Sequence, residues 1–451
     1  MPGSPPRRPG HPSPIDRATD RTGAGRPQPV RHRITARSSP NLLWMGDGRR
    51  VVVVGAGFAG LAAADALRAR GAEVTVLEAR DRVGGRVWSV PFGDSAVVER
   101  GAEFILPDYE VMQSLATRFG IPLVLKGTPY GRRKAVGEEA IGEAELEAAF
   151  ARIGRGAPAG AASAGAAIAA LELEPRATAL LRTRVAISNG HPVDDLDVSV
   201  LEESASTFGD FANYTLEGGN MRLAEALGSP LRDALHLSSP VRRIRWSDAG
   251  VRVATDGAEL DADAAVIAIP TVPLGEIEFD PPLDGATASA LQAVTYGQNS
   301  KLFIRLRAPA PASAVMSIAG HFWTYTQLGA DGEPAPFLVS YAGTRSAIEA
   351  LGGSEQPQRW VAATLALRTD LDLDPDPAAA LLSSWDEDPW VRGAYSARSL
   401  ASPIRDEDLQ RPIGPLFFAG EHTAGAWHGL MEGALRSGNR AAEQVLGGAI
   451  A

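Results

Sequence analysis

From Arg50 to Arg86 the chain reads RVVVVGAGFAGLAAADALRARGAEVTVLEARDRVGGR, and this stretch decides the fold. Val51–Val54 is a short β-branched run that stops at a glycine, the pattern of a strand buried on both faces of a parallel sheet. Gly55-x-Gly57-x-x-Gly60 then turns into a helix, whose free N–H groups and positive dipole end suit a pyrophosphate. Gly55 permits the tight turn, Gly57 lets phosphate reach the backbone, and Gly60 lets the helix lie close on the strand. Leu61–Arg70 is alanine-rich and helical, and Gly71 ends it. A second strand, Glu73–Leu77, carries Glu78 to the sheet edge. An acid there, roughly 20 residues after the glycines, suits the hydroxyls of an adenosine ribose. A lone glycine motif is more often an ordinary turn. Strand, glycines, helix, strand and acid in this order mark a dinucleotide site.

The next residues narrow the choice of dinucleotide. Arg82-x-Gly84-Gly85-Arg86 follows the ribose acid directly, and a nicotinamide enzyme has no standing need for it. Far downstream, Gly414–Thr423 reads GPLFFAGEHT and Gly429–Ala434 reads GLMEGA. Together these motifs resemble the flavin-containing amine oxidase family, which includes monoamine, polyamine and L-amino-acid oxidases, over about residues 48–447. The resemblance implies an α/β protein with a Rossmann-type, glutathione-reductase-like FAD-binding domain and an interleaved α+β substrate domain. Cofactor-binding pieces are expected at 45–104, 217–275 and 392–451, and substrate-binding pieces at 105–216 and 276–391. By the same resemblance FAD contacts include Gly55, Gly57, Phe58, Ala59, Gly60, Glu78, Ala79, Gly85, Gly420, Glu421, Leu430 and Met431. Arg86 and Arg80 are expected to face phosphate or the flavin edge.

Composition bounds the remaining possibilities. With 451 residues and 45% hydrophobic content the chain can build two domains around a large core. It has no cysteine, which excludes disulfides, thiolate catalysis, iron–sulfur clusters and a cysteinyl-linked flavin. Seven scattered histidines show no metal-ligand spacing, so no metal is expected. Net charge is −10; residues 1–44 hold eight Arg against two Asp, or +6, so the rest is near −16. An acidic body argues against a nucleic-acid partner. Residues 1–44, rich in Pro, Gly, Ser and Arg, read as a disordered tail or as the product of a start codon called too early. Arg7-Arg8 suggests twin-arginine export, yet no apolar segment follows, and no run of about 18 apolar residues offers a membrane anchor. A cytoplasmic location is expected.

Between the motifs, Val87–Val98 reads as a strand pair about the turn Pro91–Asp94. Glu99–Phe104 (ERGAEF) resembles the family's second flavin-contact loop, with Gly101 and Ala102 letting backbone approach the ring. Glu103 either attracts a substrate ammonium or pairs with an arginine, and the pair is the expected reading. Helical patterns dominate Pro107–Leu216, with Tyr130–Ala140 a surface loop and Ala157–Ala170 a linker running into a helix. Leu235–Trp246 reads as one strand, in which Val241 matches the residue whose backbone faces adenine in relatives; a plain core valine fits equally. Asp263–Pro270 is a further buried strand.

Lys301 is the sharpest single-residue expectation. The chain spells its positive charge with 41 arginines and only three lysines, Lys126, Lys134 and Lys301. A lysine opening the apolar strand Asn299–Leu306 is therefore wanted for a compact ammonium that a guanidinium cannot replace, the other reading being a strand-end lysine that snorkels to solvent. In the resembled family a lysine at this point holds a water against flavin N5. Trp323 and Tyr325 share one face of a strand and either line the substrate cavity or pack in the core. Ala394 stands where the mitochondrial monoamine oxidases attach FAD through cysteine, so the flavin is expected to be non-covalent. Tyr395 matches one of the two tyrosines that cage the amine there, and Leu430 stands at the other. This half-missing cage, with Phe104 near the carboxylate-binding arginine position of L-amino-acid oxidases, makes simple arylalkylamines and amino acids doubtful substrates. Trp427 and His428 are further candidate pocket walls, although for His428 a satisfied surface histidine is the expected reading.

The resemblance implies oxidation of a small-molecule amine: hydride leaves the α-carbon for flavin N5, an imine results, and O2 reoxidises the flavin to give H2O2. Two alternatives stay open at this point. The architecture also serves flavin enzymes that desaturate C–C bonds of large apolar molecules, and a non-catalytic flavin-binding protein would keep the same motifs.

Overall fold

The computed structural model describes residues 48–94, 96–136, 141–153, 160–203, 211–329, 332–401 and 405–447. The expected tail over 1–44 lies outside them, as do 137–140 of the expected loop and 157–159 of the alanine-rich linker.

Val51–Val54 lies in the middle of a five-stranded parallel sheet, ordered Leu416–Phe418, Ala264–Ile267, Arg50–Val54, Glu73–Leu77, Leu235–His236. Its side chains alternate between two cores. Val51 and Val53 pack with Leu61, Leu67 and Leu435 under the helices Phe58–Ala69 and Met431–Val445. Val52 and Val54 pack with Ile244, Val253 and Phe418 beneath a four-stranded sheet, ordered Glu259–Ala262, Gly250–Thr255, Val241–Ser247, Glu278–Asp280. Both faces are therefore covered, as the unbroken valine run requires. The strand Glu278–Asp280 joins this sheet although it lies past residue 275, where the sequence reading ended the cofactor piece.

A second sheet has six strands, ordered Pro375–Ser384, Asn299–Leu306, Phe337–Gly343, Phe322–Thr326, Ser313–Ser317, Lys134–Ala135. Leu302, Ile304 and Trp360 fill one face. Phe303, Trp323 and Tyr325 fill the other, against the helices Ala164–Ala169 and Pro175–Asn189. The period of two along Asn299–Leu306 thus puts Lys301 on the Phe303 side.

Two local expectations are corrected. Leu235–Trp246 is not one strand: Leu235–His236 edges the parallel sheet and Val241–Ser247 enters the four-stranded one, with Ser238 at φ 51° and Pro240 between them. Tyr130–Ala140 is not a surface loop over its described part. Arg133 is 0% exposed, its guanidinium over the rings of Tyr130 and Trp323, and Lys134–Ala135 pairs onto the six-stranded sheet. Charge suggested solvent there, but the aromatic faces and the Tyr130 carbonyl hold the arginine inside. No helix among the described residues is long and apolar enough to cross a membrane.

Candidate active site

A single cavity runs from the Gly55–Gly60 turn to the six-stranded sheet, and the sequence-selected residues line it except Gly60 and Trp427. Gly60 works from below: a Cβ there would stand 1.9 Å from the Gly55 carbonyl oxygen, so only glycine lets the helix lie on the turn. Gly55 has φ 100°, and a Cβ would meet the Ala268 carbonyl at 2.8 Å. At Gly57 a Cβ would meet nothing within 4 Å and would stand in the open cavity. The helix that begins at Phe58 has no side-chain cap, which leaves its first N–H groups to an anion. Glu78 is 4% exposed and accepts the Ala56 and Arg80 N–H groups at 2.7 and 2.9 Å, one on each oxygen. A carboxylate has lone pairs to spare beyond these two bonds, enough for a ribose diol. Val241, Ala79 and Arg80 also line the cavity. His422 is buried with no partner for Nδ1, and burial pushes it down to about 4, so it faces the cavity as neutral imidazole. Open donors, a held carboxylate and an unpartnered ring nitrogen fit a bound dinucleotide.

Farther along, the early and late motifs are tied together. Arg86 Nη1 donates to Glu421 Oε1 at 2.7 Å and to the Ala394 carbonyl at 2.6 Å. Glu421 also accepts the Ser396 hydroxyl and the Gly429 N–H. Burial alone would raise this carboxyl, but Arg86 beside it holds it at about 2. Arg80 pairs with Asp388. Both arginines expected to face phosphate or flavin do line the cavity, each already matched with a carboxylate. Leu430 and Met431 start the helix Met431–Val445, a second helix beginning on the cavity without a side-chain cap.

The register of the six-stranded sheet builds the opposite wall. Ser383, Lys301, Tyr341 and Trp323 are direct cross-strand neighbours on four consecutive strands, and all four line the cavity. Lys301 Nζ donates to Glu103 Oε2 at 2.7 Å, to the Gly101 carbonyl at 2.8 Å and to the Glu99 carbonyl at 3.2 Å. All three of its N–H bonds are spent on the segment expected to face the flavin, so holding a water requires releasing one. Glu103 does not pair with an arginine. Its partners are two lysines, Lys301 and, at 3.1 Å, Lys126, together with the Tyr325 hydroxyl at 2.7 Å. Burial works to raise Glu103, but the two ammoniums hold it at about 2. The ion pair forms because Lys301, on the strand Asn299–Leu306, and Lys126, just past the strand Leu123–Leu125, reach the same buried carboxylate, which sequence distance conceals.

Aromatic rings enclose the space beyond Lys301. Trp323 and Tyr325 stack at 4.3 Å, with Tyr130 edge-on to Trp323 at 5.2 Å and Phe104 edge-on to Tyr130 at 5.6 Å. They are cavity wall and core at once, 2% and 1% exposed for Trp323 and Tyr325. Tyr395 donates to the Ser188 carbonyl, which leaves its oxygen to accept from the Tyr341 hydroxyl at 3.0 Å. His428 is not a surface histidine; it lies half-buried on the cavity wall, and burial pushes it down. Trp427 does not reach the cavity, because its ring packs against Tyr109 and under Arg436. Sequence reasoning missed Lys126, Tyr130, Phe211 and Tyr341. The scarcity of lysine was a usable signal for Lys126, as was the alternation of Phe337–Gly343 for Tyr341. Among the described residues no group of three or more His, Cys, Asp or Glu is placed to hold a metal.

Comparison with known proteins agrees with this geometry. The profile of the family described as flavin containing amine oxidoreductase matches residues 58–156 and 195–446. That of pyridine nucleotide-disulphide oxidoreductases matches residues 2–96. The chain is 29% identical to a putative flavin-containing monoamine oxidase, AofH, of Mycobacterium tuberculosis, over 88% of this chain and 96% of that one. It is also 29% identical to the putrescine oxidase of Kocuria rosea, over 88% and 95%. In fold it is similar to a solved putrescine oxidase with putrescine bound, with TM-score 0.76 and 23% identity over 88% of this chain and 99% of that one. These relatives favour amine oxidation over C–C desaturation. The chain belongs to the flavin-containing amine oxidoreductase family, an FAD-dependent enzyme built on a Rossmann-type cofactor domain.

Proposed function

We propose that this enzyme oxidises monoamines whose body is apolar or aromatic, with O2 as electron acceptor and FAD held non-covalently. The observation that carries the substrate class is the state of the three cavity carboxylates. Glu78 is held by backbone N–H groups, Glu421 by Arg86, and Glu103 by two lysines and a tyrosine. Among the described residues none of the cavity carboxylates is left for the second ammonium of a diamine. The rings of Tyr130, Trp323 and Tyr325, with the Arg133 guanidinium behind them, favour a substrate that enters with its nitrogen neutral.

Bound FAD supplies the acceptor for the hydride lost from the carbon beside nitrogen, and the amine leaves as an imine. The chain's part is orientation and exclusion of water. Gly57, the Phe58 helix end and Glu78 would hold the dinucleotide, Gly101 and Ala102 would let backbone approach the ring, and Lys301 would fix a positive charge beside it. A water near the reacting centre would be held by Lys301 on release of its longest bond, to Glu99. Tyr395 and Tyr341 would flank the amine, Tyr341 taking the part for which Leu430 has no hydroxyl.

The division into cofactor pieces at 45–104, 217–275 and 392–451 and substrate pieces at 105–216 and 276–391 belongs to the same reading. Support comes from the five- and six-stranded sheets, whose strands fall in cofactor and substrate pieces respectively, while Glu278–Asp280 in the four-stranded sheet moves the boundary at 275 past residue 280. A cytoplasmic location also belongs to this reading, supported by a chain without cysteine, which has no use for an oxidising compartment. The test is peroxide release from a set of benzylamines and alkyl monoamines against putrescine. Monoamines should exceed putrescine at least tenfold in kcat/KM; equal or better use of putrescine would refute the substrate class.

A further inference from the structure

We propose that Lys126 and Glu103 set the electric charge of the wall that faces the flavin, acting through Lys301, and thereby tune the flavin's reduction potential. The inference rests on the cofactor and reaction given above. Lys126 is a positioning residue: it is 4% exposed and stands behind Glu103, off the cavity wall.

Two of the three lysines in the chain converge on one carboxylate. A single ammonium would satisfy charge balance, yet Glu103 is given two. Its remaining acceptor capacity goes to Tyr325 and to Gln327, whose amide, turned nitrogen toward the acid, donates to Oε1 at 3.0 Å and accepts from Lys126 at 3.0 Å. The trio therefore holds two positive charges against one negative, all three residues at least nine-tenths buried. An excess buried cation is costly unless it serves something. Lys301 passes the excess on: its other two bonds grip the Glu99 and Gly101 carbonyls, on the loop that lines the cavity. A fixed positive charge there stabilises added electrons in a nearby ring, and Lys126 decides whether the unit carries that charge.

Of the other ionisable groups facing the trio, Glu99 answers to Lys126, whose charge opposes the rise that burial causes in it, so Lys126→Met pushes it further up. Glu99 accepts from Ser89, Thr215 and the Asn220 N–H, and burial pushes it up. Tyr325 and Tyr341 are pushed up, in each case first by burial, and stay neutral. Arg133 lies on the far side of Tyr130 and Trp323.

The test is the midpoint potential of the FAD-loaded protein, measured with reporter dyes at fixed pH and without any amine. Lys126→Met removes the excess charge and should make reduction about tenfold less favourable, ~30 mV for a two-electron couple. Lys126→Arg should keep the potential near that of the parent. The double variant Lys126→Met with Glu103→Gln restores one net positive charge and should return the potential toward the parent, although two buried groups are gone. Glu103→Gln alone should not lower it. A packing role predicts the opposite order, the double variant being worse than either single one. A parental potential in Lys126→Met, or a double variant no closer to the parent than Lys126→Met, overturns the proposal. If Lys126→Met does not fold, a lowered potential in Glu103→Gln overturns it. Protein that takes up FAD but shows unmoved potentials refutes this inference alone, whereas protein that takes up no FAD refutes the cofactor reading.

Discussion

Substituting Glu421 with glutamine should destabilise the protein by about 3 kcal/mol at neutral pH, and the deficit should vanish in acid. Glu421 is 7% exposed at its side chain and Arg86 20%, and the pair bridges 335 residues of sequence. The carboxyl is lowered from an ordinary 4.5 to about 2, burial opposing and Arg86 prevailing. At about 1.4 kcal/mol for each pH unit between those values, the native charge contributes about 3 kcal/mol. The cost of breaking a buried pair is similar, about 3–5 kcal/mol, and Arg86 keeps its bond to the Ala394 carbonyl. The sign follows from the lowered value. A depressed carboxyl stabilises the fold above its unfolded value near 4.5, and the contribution is lost as pH falls toward 2. The assay is the urea midpoint of parent and Glu421→Gln proteins, without added FAD, at pH 7 and at pH 3. The gap should be wide at pH 7 and should narrow at pH 3, because the unfolded parent then binds the proton that native Glu421 still refuses. An equal gap at both pH values would refute the reasoning, since it would assign the loss to shape and not to the ion pair.

Other perturbations probe the rest of the site. In Gly60→Ala the new Cβ must retreat by about 1.1 Å to stand 3.0 Å from the Gly55 oxygen. Lifting the helix should cost about 1–3 kcal/mol and weaken FAD binding more than tenfold in a flavin-fluorescence titration. Glu78→Ala leaves the Ala56 and Arg80 N–H groups without their acceptor, at about 1–3 kcal/mol each, and the protein should lose its flavin on gel filtration. Tyr341→Phe removes one hydroxyl bond while Tyr395 keeps Ser188, so stability should fall by about 1 kcal/mol and amine turnover by only a few-fold.

The cofactor end of the molecule was legible because its chemistry is local. Gly55, Gly57 and Gly60 act within one turn, and Glu78 follows at the end of the next strand. Valine alternation between two cores is likewise a property of one strand. The substrate wall was only partly legible because it is made by register. Lys301, Tyr341 and Trp323 meet as cross-strand neighbours, and their spacings of 40 and 18 residues carry no period that a reader could recognise. Glu103 was matched with an arginine, whereas Lys301 on the six-stranded sheet and Lys126 just past the strand Leu123–Leu125 reach it instead. Arg133 misled for a related reason: charge predicted exposure, and the rings of Tyr130 in its own segment and Trp323 from the sheet buried it. The strand break at Ser238–Pro240 escaped because both halves are apolar enough to read as one run.

The central claim is that this fold grips FAD between the Gly55 turn and the Phe418–Glu421 segment and reduces it with an amine. The most direct measurement is the visible spectrum of the purified, FAD-reconstituted protein under anaerobic titration with monoamines. A bound-flavin spectrum that bleaches with an apolar monoamine, and recovers colour on admitting air, is the predicted result. Protein that stays colourless after reconstitution, or whose flavin no amine bleaches, would contradict the account.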